Sequence, residues 1–148
     1  MKISVSLEDV QALRSKTAAF HERLSDLRPA LARGAVEVLD AAQMQFSEQG
    51  DPPWAPKKRP NGMPLLVRKG SLKESLQAGA QESAVTIPGG IVVGTNLSYA
   101  PVQQYGSDHA GRGGNTVIPA RPFLWRDPEE LGRKIQAVFA AYIAGKAV

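Results

Sequence analysis

The four residues Gly50-Asp51-Pro52-Pro53 split the chain into two stretches that cannot share one kind of secondary structure. Glycine is the usual helix stop, and prolines lack the amide donors a helix interior needs, so no helix continues through this run. Before the break the apolar residues carry a helical period. After it come turn residues and short β-branched runs, and only the last stretch becomes helical again. The expected class is therefore α+β: two N-terminal helices and a C-terminal helix packed on a small, mostly antiparallel β-sheet, with a long basic loop between.

Upstream of the break, Leu7, Val10, Leu13, Thr17, Phe20, Leu24 and Leu27 recur at steps of three and four, which places them on one stripe of a helix. Ser6, with Asp9 three residues further on, offers an N-terminal cap. Pro29 ends this helix or opens the next, since its ring is tolerated only in a first turn. A second helix is expected from Ala30 to about Gln49, with Leu31, Ala35, Val38, Ala42 and Phe46 as its stripe and Leu39 alongside.

Downstream, residues 50–70 form a proline-rich loop without periodicity, and loops of that length tend to be functional. Trp54 inside it is a large apolar anchor. Ser71 with Glu74 fits a capping box for a short helix that presents Leu72 and Leu76. Val85-Thr86-Ile87 and Ile91-Val92-Val93 flank Pro88-Gly89-Gly90 and predict a β-hairpin. The second run is apolar on both pleat faces, as in a strand covered on both sides. Ser98 to Tyr105 can make a turn of helix, Gly106 to Asn115 reads as a polar loop, and Thr116-Val117-Ile118 can pair as a third strand. Pro119 to Leu124 must be extended, because Pro122 drives Arg121 out of the helical region. Asp127 caps a last helix with Pro128 in its first turn and Leu131, Ile135, Val138, Phe139 and Tyr142 on its buried stripe.

A length of 148 residues suits one domain over 1–148, in four parts: helices to residue 49, the loop 50–70, a β-rich part 71–126 and the last helix 127–148. The chain has no cysteine, which excludes disulfides, thiolate metal sites and a cysteine nucleophile. Acidic residues interrupt the N-terminus before a signal-peptide core forms, and no apolar run approaches a membrane span, so a soluble chain made in the cytoplasm is expected. The formal charge of +4 permits contact with nucleic acid without demanding it. The distribution says more: Lys57, Lys58, Arg59, Arg68, Lys69 and Lys73 follow one another with no acidic residue among them. They are candidate contacts for DNA phosphates or an acidic partner, set against the plainer reading of a solvated loop.

Nothing in the chain assembles a reaction centre. His21 and His109 share no ligand spacing with each other or with nearby acids, so no metal is expected. Gly111-Arg112-Gly113-Gly114-Asn115 lacks the Gly-Lys-Ser/Thr ending and the following helix of a phosphate-binding loop. No serine occupies a nucleophile elbow, and the carboxylate pairs fall on helix surfaces and ends. No catalytic residue and no cofactor are assigned, and an enzyme is not expected.

The ordered series Trp54-Ala55-Pro56, Gly70-Ser71-Leu72-Lys73-Glu74-Ser75-Leu76, Val93-Gly94-Thr95-Asn96, Tyr99-Ala100 with Gln104-Tyr105-Gly106, and Ile118-Pro119-Ala120-Arg121-Pro122-Phe123-Leu124 resembles the phage virion morphogenesis (tail-completion) family of Mu-like and P2-like tailed phages. The likeness spans about Phe46 to Leu124 and departs from the family pattern at Gln103, where histidine is expected, and at Trp125, where a small residue is more usual. It implies a structural neck or tail-completion protein of the virion, forming a ring, commonly hexameric, around the DNA channel at the head–tail junction. Tail-tube or terminator proteins and head-connector proteins would be its neighbours.

The residues of those motifs suit such contacts. Tyr99 and Tyr105 combine a large ring with a polar tip, as interfaces favour, and Gly106 supplies a positive backbone angle. Arg121, braced between prolines, suits a partner carboxylate, with Phe123 as an anchor. Tyr99, Gln104, Tyr105, Gly106, Pro119, Arg121, Pro122 and Phe123 are therefore candidate subunit contacts. The alternative for Pro119 to Phe123 is packing on the chain's own core.

Overall fold

A computed structural model describes residues 6–57, 62–80, 83–124 and 127–146. Five helices and two antiparallel hairpins appear among them, in an α+β arrangement with helices at both ends. Helix α1 (Leu7–Ser25) opens with a capping box in which Ser6 Oγ accepts from the Asp9 amide and the Asp9 carboxylate accepts from the Ser6 amide. Pro29 opens the next helix, α2 (Arg28–Glu48), which closes with Gln49 in the left-handed region at φ 59°.

The face that α2 buries is rotated from the expected stripe. Ala30, Gly34, Ala35, Leu39, Ala42 and Phe46 are buried, while Leu31 and Val38 are only half-buried. Small residues decide this, because they let the last helix, α5 (Pro128–Ile143), approach closely: a Cβ placed on Gly34 would stand 3.8 Å from Ile135 Cγ2. Asp127 caps α5 as expected, its carboxylate accepting from the amides of Glu129 and Glu130. Tyr142 Oη donates to the Asp26 carbonyl at 2.7 Å and Arg23 Nε to that of Ile143 at 3.0 Å. These bonds tie the α1–α2 joint to the end of α5.

Short helix α3 (Ser71–Glu74) presents Leu72 and Leu76 to the core, as its sequence predicts. Its cap differs from the expectation. Gly70, at φ 81°, occupies the N-cap and Ser71 already lies inside the helix, with no side-chain capping bond. The Glu74 side chain folds back over Gly70 so closely that a Cβ there would lie 2.8 Å from Glu74 Oε1. Only glycine suits that geometry.

The expected sheet is in two pieces. Strands β1 (Ala84–Ile87) and β2 (Gly90–Val93) form the hairpin predicted around Pro88-Gly89. Thr116–Ile118 (β4) does not join them. It pairs with Ser107–Ala110 (β3), a strand lying inside the segment that reads as a loop. Between the hairpins sits helix α4 (Ala100–Tyr105). Strand β2 is covered by α2 and the core on one side; Val92 on the other stays 53% exposed, so the described residues do not cover both faces.

The core gathers where α2 ends. Leu39, Ala42, Phe46, Trp54, Leu72, Leu76, Ala100 and Phe123 form one cluster. Phe46 meets Trp54 edge-on and Phe123 at a tilt, both at centroid separations of 5.9 Å.

Candidate functional site

The core is closed by a clasp of three segments. Trp54 Nε1 donates to the Pro122 carbonyl at 3.0 Å, satisfying the ring's polar handle inside the fold. Buried Gln104 directs Oε1 at two backbone amides, those of Phe123 at 2.9 Å and Leu124 at 3.2 Å. Arg121 returns its own amide to the Gln103 carbonyl at 2.7 Å. Gly106 turns the chain at φ 77°, and a Cβ there would lie 2.8 Å from the Ala120 amide nitrogen, so glycine is required.

This geometry sorts the candidate contact residues. Gln104, Arg121 and Phe123 point inward and are buried; Tyr105 is 72% and Tyr99 44% exposed. Arg121 does not present its fork to the outside: Nε donates to the Ala55 carbonyl at 3.0 Å and Nη2 lies 3.5 Å from that of Pro56. Burial pushes its guanidinium below the usual arginine range. Pro119 and Pro122 brace the inward run, and Pro122 stays exposed. The proline-flanked motif is thus a clasp on the chain's own core, with Tyr99 and Tyr105 as its outward rings.

Above the clasp lies a cleft of about 630 Å³. Lys57, Arg68, Lys69 and the edge of Arg121 line it, and among the described residues no acidic one does. Leu65, Leu66, Leu72 and Leu97 give it an apolar floor, with Tyr99 and Gln103 at one wall. Leu66 holds φ 60°, uncommon for a side chain of its size, and Gln49 Oε1 accepts from the Leu65 amide, fixing the loop to the end of α2. Lys57 Nζ bonds the Met63 carbonyl at 2.8 Å. The structure therefore brings together Lys57, Arg68 and Lys69 of the basic series; Lys58 and Arg59, like Trp125, lie outside the described residues.

One surface was legible only as a stripe. Leu7 is 82% and Leu13 66% exposed, Val10, Phe20 and Leu24 are also exposed, and α1 buries no residue. An amphipathic period shows that a face is apolar without saying what covers it. His21 and His109 are exposed, and no group of metal-ligating side chains occurs among the described residues. Among them, too, no helix is long and apolar enough to cross a membrane.

A small α+β chain that leaves a helix-long apolar stripe and a cationic, apolar-floored cleft open to solvent has the layout of a protein that works by contact. The sequence matches the phage virion morphogenesis family over residues 8–143, and the chain belongs to that family. It is similar to Mu-like prophage FluMu G protein 2 of Haemophilus influenzae, with 29% identity over 128 residues, covering 86% of this chain and 87% of that one. No solved structure matches it. Its role lies in phage virion assembly.

Proposed function

We propose that the chain is a tail-completion or neck component that forms a ring, commonly of six copies by likeness to its family, at the head–tail junction and enables filled heads to join tails. Membership of the virion morphogenesis family carries this reading. Two features of the chain support it. Among the described residues the apolar face of α1 stays exposed, and burying such a face is the usual driving force for association. Tyr99 and Tyr105 stand outward from a rigid clasp, where they are pre-organised for a contact.

Contact with DNA through Lys57, Arg68 and Lys69 is the second reading, favoured by a cleft lining that carries no acidic residue among the described residues. The leucine floor beneath those charges suits a protein segment better than a phosphate backbone. Light scattering on the purified chain, with imaging of virions carrying a labelled copy, tests the first reading. A ring-sized particle and label at the head–tail junction are expected; label on the capsid shell or the distal tail tip would contradict it.

A further inference from the structure

The two open surfaces of this chain complement each other. The first turn of α1 places Leu7 and Val10 on one apolar edge and Glu8 and Asp9 beside them. Its first dozen residues are all exposed, so the turn stands clear of the fold like an arm. Glu8 forms no ion pair among the described residues, and the Asp9 carboxylate, held below its usual range by its bonds to Ser6, is ionised. The cleft offers the counterpart: leucines below, Arg68 and Lys69 at the rim, the latter two without ion pairs among the described residues. Arm and cleft belong to different parts of the chain. No residue of α1 lines the cleft, which adjoins the Gln49 end of α2.

We propose that the first turn of α1 from one copy docks in the basic cleft of the next copy, Leu7 and Val10 on the leucine floor and Glu8 and Asp9 facing Arg68 and Lys69. The positive residues of α1, Arg14, Lys16 and Arg23, come later in the helix and remain outside the cleft. Because the two surfaces differ, the contact is head-to-tail, and such contacts close into rings when the rotation between copies permits. The proposal rests on the ring reading and names the contact that would build it.

The absence of native cysteine makes a single introduced thiol unique. Copies carrying Gln11→Cys on the arm are mixed with copies carrying Ser71→Cys, an isosteric change at the cleft, and treated with a short bis-maleimide. A parallel mixture pairs Gln11→Cys with Val92→Cys on the open face of the first hairpin. Both are run on the purified chain and on assembled tails.

Arm–cleft cross-linking several-fold above the hairpin mixture is expected. Arg68→Glu with Lys69→Glu in the cleft copy should abolish the excess, and Glu8→Lys in the arm copy should restore it. Glu8 and Gln11 are exposed and their side chains form no hydrogen bond or ion pair among the described residues, so these arm variants should fold, and the charge rescue separates a docking loss from a folding loss. Equal yields in the two mixtures, in both preparations, overturn the contact. If light scattering still reports a ring, the ring reading survives without it. Failure of the cross-link together with binding of a short DNA duplex that Arg68→Glu removes would give the cleft to nucleic acid instead.

Discussion

The side-chain carbonyl of Gln104 accepts hydrogen bonds from the backbone amides of both Phe123 and Leu124, at 2.9 and 3.2 Å. One buried amide thereby joins helix α4 to the run that carries Arg121. The two motifs have a shared physical purpose: each provides what the other's backbone lacks. Gln104→Ala leaves those amides without an acceptor and should destabilise the fold by about 1–3 kcal/mol in denaturant titration. Gln104→Glu at neutral pH keeps an acceptor and should fold with a smaller loss than Gln104→Ala.

Gly106 is constrained by the same clasp. Its positive φ and the 2.8 Å approach of the Ala120 amide nitrogen to any Cβ make Gly106→Ala unfavourable by more than about 1 kcal/mol. Gly62→Ala is a useful comparison, since φ is also positive there but nothing lies within 4 Å. Thermal melts should show the larger drop for Gly106→Ala.

Trp54 has two separable contributions. Trp54→Phe retains most of the apolar fill against Phe46 and loses the bond to the Pro122 carbonyl, a loss of about 1 kcal/mol. Trp54→Ala also empties the core and should cost about 3–5 kcal/mol. A difference of that order between the two variants, read from chemical unfolding, checks the assignment.

The α1–α2 joint should respond to strong acid. Hydrogen bonds from the Arg28 guanidinium and amide pull the Asp26 carboxyl down from 3.8 to about 2. A depressed folded-state value means that the stabilisation is present above the unfolded value and is lost as the pH falls through the folded one. Loosening of the joint therefore belongs between about pH 4 and pH 2, and Arg28→Ala should move the Asp26 midpoint upward. Carboxyl carbon NMR of Asp26 measures both.

Much of this fold was legible because punctuation is local chemistry. The Ser6–Asp9 box, Pro29 and Pro128 in first turns, the Asp127 cap and the Pro88-Gly89 turn each work within a few residues, and each stands where its sequence places it. Strand β3 escaped notice because Ser107-Asp108-His109-Ala110 has no apolar alternation; it is a strand only through its pairing with β4, and that register is irregular. The only hints were the flanking Gly106, Gly111 and Gly114, all at positive φ.

Burial was harder to read than periodicity. The stripe of α1 and the face of α2 have similar patterns, yet one is open and the other packs, because α5 covers α2 and meets α1 only near its end. Arg121 shows the same limit in reverse. Proline neighbours indicated that it is rigidly held, but not that its fork turns inward to the carbonyls of Ala55 and Pro56, far away in sequence. The convergence of Lys57, Arg68 and Lys69 on one cleft likewise depends on how Gln49 pins the loop.

The proposed role in head–tail joining is tested most directly by electron microscopy of lysates from a phage that lacks this chain. Filled heads and tails lying separate, with joining restored when the purified chain is added back, are expected. Intact virions in normal yield without it would contradict a joining role.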